Sequence, residues 1–461
     1  MQRFPRTGKK RQGRAMDRRS VLKLGAAVSA GGVLAPLLAA CGPSSDDPSD
    51  APGTATITLI SVGGDPRQVP ALAQAFDDFG VEHPDIAWDI RAIPGGGPEW
   101  DRSARTVITA GEPVDLVMIN GQQLRGWVRD GLLADLGADP ALATVLERVP
   151  ERFHLGGAGE PATRVLPLAL SWGVHTTGLF YNKALLDEAG LAVPTTFADL
   201  QAAVEPLAEL GAAPLVHCCG DVIFNQMLIT WILPMIAERT GVDALEFAEQ
   251  TVRGEIGYDS PEWLEAYGIL AELSTSGVLL AGSAAAGYAA MQQLMLQGKA
   301  AMTYNGSWLL PELAAGTPSV PFDLHIAPPA TIDGATRARP ILAWSGFAIP
   351  AAASTSRDDV AAFLEFASRP DVDRGVVAGL QAYSPIAESN AAIEDPLVLE
   401  FLPMFEDAIT PLDWLWEPEI TAELDSQVQA LVGGSTDPAA VGRAVQAVSD
   451  GLRSSGRSYY P

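Results

Sequence analysis

A chain of 461 residues exceeds the length at which one hydrophobic core stops growing, so at least two domains are expected. Hydrophobic residues make up 48% and charged residues 19%, which places the chain among globular proteins and not disordered ones. Residues 1–40 carry nine Lys or Arg and one acid, Asp17, leaving 21 basic and 55 acidic residues beyond them; that net charge near −34 repels phosphate backbones and argues against a nucleic-acid partner.

The amino-terminal segment reads as an address. Arg18-Arg19, Val21-Leu22-Lys23 and the uncharged stretch from Leu24 to Ala40 form a basic region followed by a short apolar one. That stretch is 17 residues long, short of the roughly 20 that cross a bilayer comfortably. The paired arginines resemble a twin-arginine export signal, with Asp17 and Val21 in place of the usual Ser or Thr and Phe. Leu38-Ala39-Ala40-Cys41 resembles a lipobox, in which Cys41 is acylated. Residues 1–40 are therefore expected to be a cleaved export signal. Residues 41–53, rich in Ser, Asp, Pro and Gly without apolar periodicity, are expected to be a lipid-anchored flexible tether.

Beyond the tether, strand and helix signals alternate, which favours parallel sheets covered by helices. Thr56 to Ile60 reads as a strand, followed by Gly63-Gly64-Asp65. Leu72, Ala75, Phe76 and Phe79 then fall at helical spacing. Ile86, Trp88 and Ile90 alternate as a second strand, and Val114 to Ile119 form a third that ends at Asn120-Gly121. Gly63 to Asp65 and Asn120 to Gln122 thus lie past the carboxyl ends of strands, where open α/β sheets bind ligands. Ordinary turns also use Gly and Asn, and the two readings stand side by side. Thr196 to Asp199 and Ser356 to Asp359 carry helix-start boxes, and Pro206 is expected to kink the first of these helices. The adjacent Cys218 and Cys219 suit neither a disulfide nor zinc and read as small buried hydrophobes.

Motifs for chemistry are absent from the sequence. There is no Gly-x-Ser-x-Gly elbow, no His-Glu-x-x-His and no Gly-x-Gly-x-x-Gly after a strand, and Gly298-Lys299 continues with Ala300 where a phosphate loop needs Ser or Thr. The five histidines are scattered, and no spacing singles out two of the many carboxylates as an acid and base pair. No catalytic residue, metal or cofactor is expected.

The aromatic residues carry more information. Sugars present flat C–H faces that stack on indole and a rim of hydroxyls that polar groups bond. Trp172, Trp308, Trp344, Trp414 and Trp416 lie in irregular segments bounded by Pro or Gly. Trp is also a common core filler. Trp88, Trp127, Trp231 and Trp263, inside strand or helix patterns, are assigned to packing, and Trp308 and Trp416 to a pocket.

From Thr54 to about Ser455 the order of segments resembles the family 1 extracellular solute-binding proteins, sugar receptors of ABC importers. Five stretches carry the likeness: Pro113 to Gly121; Thr177 to Lys183 with Ala189-Gly190-Leu191, Pro194 to Phe197 and Leu200; Gly298 to Trp308; Gly346 to Pro350 with the helix at Val360; and Trp414 to Glu417 before Ile420, Leu424 and Val428. Phe197 and Asp199 replace the family's Trp and Glu, and Gly220 to Phe224 lacks a Trp that many relatives place there.

The resemblance implies a periplasmic-binding-protein-like α/β fold of two lobes joined by hinge crossings with a cleft between them. Residues 54–170 with 346–384 form lobe I, and 171–345 with 385–461 form lobe II. Crossings are expected near Leu170 to Gly173, Ala343 to Gly346 and Tyr383 to Pro385. The implied ligand site comprises Gly64, Asp65, Asn120, Gln122, Trp172, His175, Trp308, Trp344, Gly346, Tyr383, Trp414, Trp416 and Glu417. The implied protein is a monomer on the outer face of the cell membrane that passes a carbohydrate to ABC-importer permease subunits. A cell-surface glycosidase or lyase, or a sensory or adhesive lipoprotein, is the alternative.

Overall fold

The computed structural model describes residues 55–62, 67–93, 97–154, 163–221, 224–310, 313, 322–353, 355, 357–380 and 382–460. Cys41, Gly64 and Asp65 lie outside them, as do the signal, the tether and Ser356.

Eight strands build the sheet: β1 (Ala55–Val62), β2 (Ile86–Ile93), β3 (Leu116–Asn120), β4 (Val174–Asn182), β5 (Ala213–Leu215), β6 (Ala300–Gly306), β7 (Leu324–Ala327) and β8 (Leu342–Ala348). Their order is β2-β1-β3-β8-β4-β6-β5, with β7 paired to β4. β1 runs parallel to β2 and β3, as the alternating strand and helix signals require. β4 and β8 are antiparallel to their neighbours. The central strands are apolar on both faces. Leu59, Ile60, Leu116, Val117, Met118 and Ile119 are all fully buried, which is why these segments read as continuous hydrophobic runs.

One strand serves both halves of the sheet. Ser345 to Ala348 of β8 pair with β3, and Leu342 to Trp344 pair with β4, so the partner changes between Trp344 and Ser345. The buried residues form two clusters, the first of which runs from β1 and β3 into β4, β6 and β7. In the first, Phe76 of the helix Gln68–Glu82 stacks on Phe363 of the helix Arg357–Ala367 with centroids 3.8 Å apart, which ties a late segment back to the amino-terminal strands. In the second, the helix Gln226–Arg239 is buried from Gln226 to Ala237, apolar around its whole circumference. Trp231 of that helix stacks on Tyr304 at 4.6 Å, and Trp263, Tyr267, Ile420, Leu424, Val441 and Val445 complete the cluster.

Local expectations meet three adjustments. β3 begins at Leu116 and not Val114, because Asp115 already gives its N–H to Thr58 O and accepts Thr58 N on Oδ2 at 2.9 Å, so a carboxylate stands where a strand would offer a carbonyl. The helix capped by Thr196 and Asp199 stops at Ala202 and restarts at Val204, since Pro206 has no N–H for the Ala202 carbonyl. Asn120 to Gln122 are no loop: Asn120 caps the helix Gly121–Arg129, and Gln122 lies in its first turn. Cys218 and Cys219 form no disulfide and are fully buried, and burial pushes the Cys219 thiol up to about 12. Among the described residues no helix is long and apolar enough to cross a membrane.

Candidate functional site

Three segments distant in sequence meet around Val174. Val174 pairs with Trp344 of β8 and bridges Tyr383, donating its N–H to Tyr383 O at 2.8 Å. Just before it, Trp172 adopts φ 85°, the one positive φ outside glycine among the described residues, and Gly173 follows at 73°. A Cβ on Gly173 would lie 2.4 Å from Tyr383 O, so only glycine fits there. The Ser171 hydroxyl lies 2.9 Å from the carbonyls of both Leu168 and Ser345, cross-linking the turn to β8.

A left-handed tryptophan costs about 1–3 kcal/mol and persists only where its surroundings hold it. Here an aromatic group does so. The Trp172 indole stacks on Trp308 with centroids 6.0 Å apart and 30° between planes, and the His175 ring lies 4.0 Å from Trp172 and 5.8 Å from Trp308. His175 Nε2 is 2.9 Å from Trp172 O, and Nδ1 is 2.9 Å from Ser307 Oγ. A carbonyl can only accept, so Nε2 carries the hydrogen, and in the neutral imidazole Nδ1 accepts the Ser307 hydroxyl proton. Trp308 takes its place because β6 ends in Asn305-Gly306. A Cβ on Gly306 would fall 2.1 Å from the indole, so the ring folds back over its own strand.

Trp172, His175, Ser307 and Leu310 line a small cavity of about 20 Å³. Arg67, Gln68, Leu380, Ala382, Tyr383 and Val398 complete the lining. Arg67 donates to Leu380 O at 3.0 Å, which ties the lining together. The Tyr383 hydroxyl donates to Val398 O, and burial raises its pKa, so it stays protonated. Trp172 and Trp308 are half-buried and leave ring surface toward solvent, whereas His175 is 6% exposed.

The remaining expected residues sit elsewhere. Trp344 and Trp414 meet edge to face at 5.3 Å, 2% and 7% exposed, and a Cβ on Gly121 would fall 1.9 Å from the Trp414 ring. Asn120 and Gln123 bond each other's backbone in a capping box, at 3.2 and 3.1 Å. Gly346 pairs with Ile119, and its bare α-carbon accommodates Val165, 2.5 Å from where a Cβ would stand. Trp416 is 2% exposed, 5.9 Å from Trp263 in the second core, and its Nε1 has no partner. Glu417 accepts Ser458 Oγ at 2.8 Å and Tyr459 N at 3.1 Å. Arg67, Gln68, Ser307 and Leu310 were not singled out in the sequence. Ser307 sits inside the Asn305-to-Trp308 motif, a usable signal. Arg67 and Gln68 carry none, since only the long-range fold brings them into the cavity lining with Trp172.

Beside Trp414, two carboxyls are buried. Burial pushes Asp413 up to about 7 and Asp425 up to about 8, and the charge of Asp413 adds to the effect on Asp425. Asp425 Oδ1 accepts Gln226 N at 3.0 Å.

One mixed α/β sheet covered by many helices gives a periplasmic-binding-protein-like fold, that of two-lobed solute-binding proteins. Residues 63–373 match the bacterial extracellular solute-binding protein family, and the chain belongs to that family. A protein of Rhizobium meliloti (strain 1021) described as a probable sugar-binding periplasmic protein is 30% identical over 157 residues, 34% of this chain and 36% of that protein. A protein of Brucella suis biovar 1 with the same description is 26% identical over 157 residues. The chain thus aligns with 36% and 35% of the length of these two curated relatives.

Solved structures extend over far more of the chain. The GacH receptor of Streptomyces glaucescens, described unliganded and with acarbose, has a TM-score of 0.67 at 21% identity, covering 87% of this chain and 98% of its own. A chitin oligosaccharide binding protein has a TM-score of 0.71 at 17% identity, covering 87% and 99%. RafE in complex with raffinose has a TM-score of 0.67 at 20% identity, covering 87% and 100%.

Proposed function

We propose that this protein is an extracytoplasmic receptor that captures a sugar or oligosaccharide by hinge closure and delivers it to the permease of an ABC-type importer. The observation that carries the reading is the group of Trp172, His175 and Trp308, of which Trp172 and His175 line a cavity beside Tyr383. Two indoles and a hydroxyl locked to an imidazole suit a molecule with apolar C–H faces and a polar rim. Relatives whose descriptions name sugar, acarbose, chitin oligosaccharide and raffinose support the same ligand class.

Residues 54–170 with 346–384 form lobe I in this reading, and 171–345 with 385–461 form lobe II; the change of partner along β8 between Trp344 and Ser345 supports that division. A ligand that touches both lobes only when closed shifts the population toward the closed state. Moving it from 1:99 to 99:1 takes roughly 5.5 kcal/mol of preference. Catalysis is no part of the role. Export follows the signal in residues 1–40, acylation of Cys41 anchors a monomer through the tether of residues 41–53, and ATP hydrolysis belongs to a partner subunit.

The test is a thermal-shift screen against mono- and oligosaccharides, polyols and glycerophosphodiesters, followed by calorimetry on each hit. A ligand of the folded state raises the melting temperature. Trp308→Ala is expected to weaken binding by roughly a hundredfold while the protein still folds. Undiminished affinity in that variant overturns the site, and turnover of the sugar overturns the receptor role.

A further inference from the structure

The helix Gly121–Arg129 follows β3, yet its length is covered from the opposite half of the molecule. Its first residue lies under the Trp414 ring, 1.9 Å from where a Cβ on Gly121 would stand. Further along, the Arg125 guanidinium lies over the Tyr460 ring at 5.2 Å and donates to its hydroxyl, and the Arg129 guanidinium lies over the Tyr459 ring at 4.6 Å. Both tyrosines follow the helix Pro438–Ser454, whose Val441 and Val445 belong to the second core.

The segment is pinned to its own half independently of the arginines. Ser458 Oγ and Tyr459 N both donate to Glu417 Oε1, at 2.8 and 3.1 Å, and the Tyr460 hydroxyl donates to Leu415 O at 2.8 Å. This accounts for the buried carboxylate of Glu417, which is spent on Ser458 and Tyr459 and not on the cavity. The aromatic faces are therefore already placed when the arginines meet them. Guanidinium over tyrosine is attractive, and more so once water is removed. Burial lowers the pKa of Arg125, and the neighbouring Tyr460, Glu249 and Glu417 oppose that shift. Separating the halves strips both cations of their rings at once.

We propose that Ser458–Tyr460 is a latch: two rings fixed to lobe II close on Arg125 and Arg129 of lobe I and hold the cleft shut. The idea rests on the hinge-closure reading above, and it sets how long a closed receptor stays closed, whatever the ligand.

The test uses the ligand-free protein, read by small-angle scattering and by thermal melting. Tyr459→Ala with Tyr460→Ala is expected to raise the open-to-closed ratio about tenfold, seen as a larger radius of gyration. Arg125→Gln with Arg129→Gln removes the same contacts from the other lobe and is expected to do the same, so the idea stays testable should the first variant fail to fold. Tyr459→Phe, which keeps its ring, is expected to scatter like the parent. The proposal is overturned if both double variants scatter like the parent, if they lose thermal stability without opening, or if the parent is already as open as they are. The sugar reading fails separately, when no carbohydrate moves the parent's melting temperature or scattering.

Discussion

Trp172 and Trp308 on one side, and Trp414 and Trp416 on the other, carry the same sequence signal and end in different surroundings. Each lies in an irregular segment. The first two stack on each other, half-buried, with Trp172 lining a cavity, beside a histidine and serine that bond each other. The second two are sealed, Trp414 against Trp344 and Gly121, Trp416 against Trp263, beside carboxyls that burial keeps protonated. Indole thus keeps exposed ring surface in one place and is a filler in the other. What separates them is which segments from afar cover the second face.

The sharpest way to break this contrast is to remove a ring from each side. Trp416→Ala is expected to cost about 3–5 kcal/mol in urea unfolding, as large core truncations do. Trp308→Ala is expected to cost about 1 kcal/mol or less while abolishing most sugar affinity. Equal losses of stability would erase the distinction.

A second test reads the polar groups beside the sealed pair. In the unfolded chain Asp413 and Asp425 ionise near the usual 3.8, while in the fold they hold protons to about 7 and 8. Between these values the unfolded state binds fewer protons, so stability falls as pH rises from about 4 and levels off above about 8. Melting curves at pH 5, 6.5 and 8.5 should show that decline, and Asp425→Asn should flatten it. An unchanged slope in the variant would mean these carboxyls are not the titrating groups.

Two smaller effects are expected on the cavity side. Gly173→Ala places a Cβ 2.4 Å from Tyr383 O at φ 73° and should cost about 2–3 kcal/mol, measured by chemical denaturation. Ser307→Ala leaves His175 Nδ1 without its donor and should cost about 1 kcal/mol. A larger loss of sugar affinity than of stability in Ser307→Ala would mark the hydroxyl as a ligand contact.

Much of the local structure was legible because its causes are local. The strand at Thr56 to Ile60 extends to Ala55–Val62, the spacing of Leu72, Ala75, Phe76 and Phe79 forms the buried face of one helix, and Thr196 with Asp199 forms the predicted capping box. The segments of Trp344 and Tyr383 also meet at Val174, two residues after Trp172. The cavity was legible only in part. Trp172, His175 and Tyr383 line it, but nothing near Arg67 marked it as their neighbour, and nothing near Glu417 foretold that Ser458 and Tyr459 would occupy it.

Residue order alone settled the α/β alternation, the helix starts and stops, the burial of the paired cysteines and the contrast between a basic first forty residues and an acidic remainder. These follow from side-chain period, backbone sterics and charge, all of which act within a few residues. Only the folded chain decided which indoles face solvent, which carboxyls lose their charge and which helix Tyr459 and Tyr460 cover. Those outcomes depend on desolvation by partners such as Trp263 and Arg125, more than a hundred residues away from Trp416 and Tyr460, and local sequence carries no record of that distance.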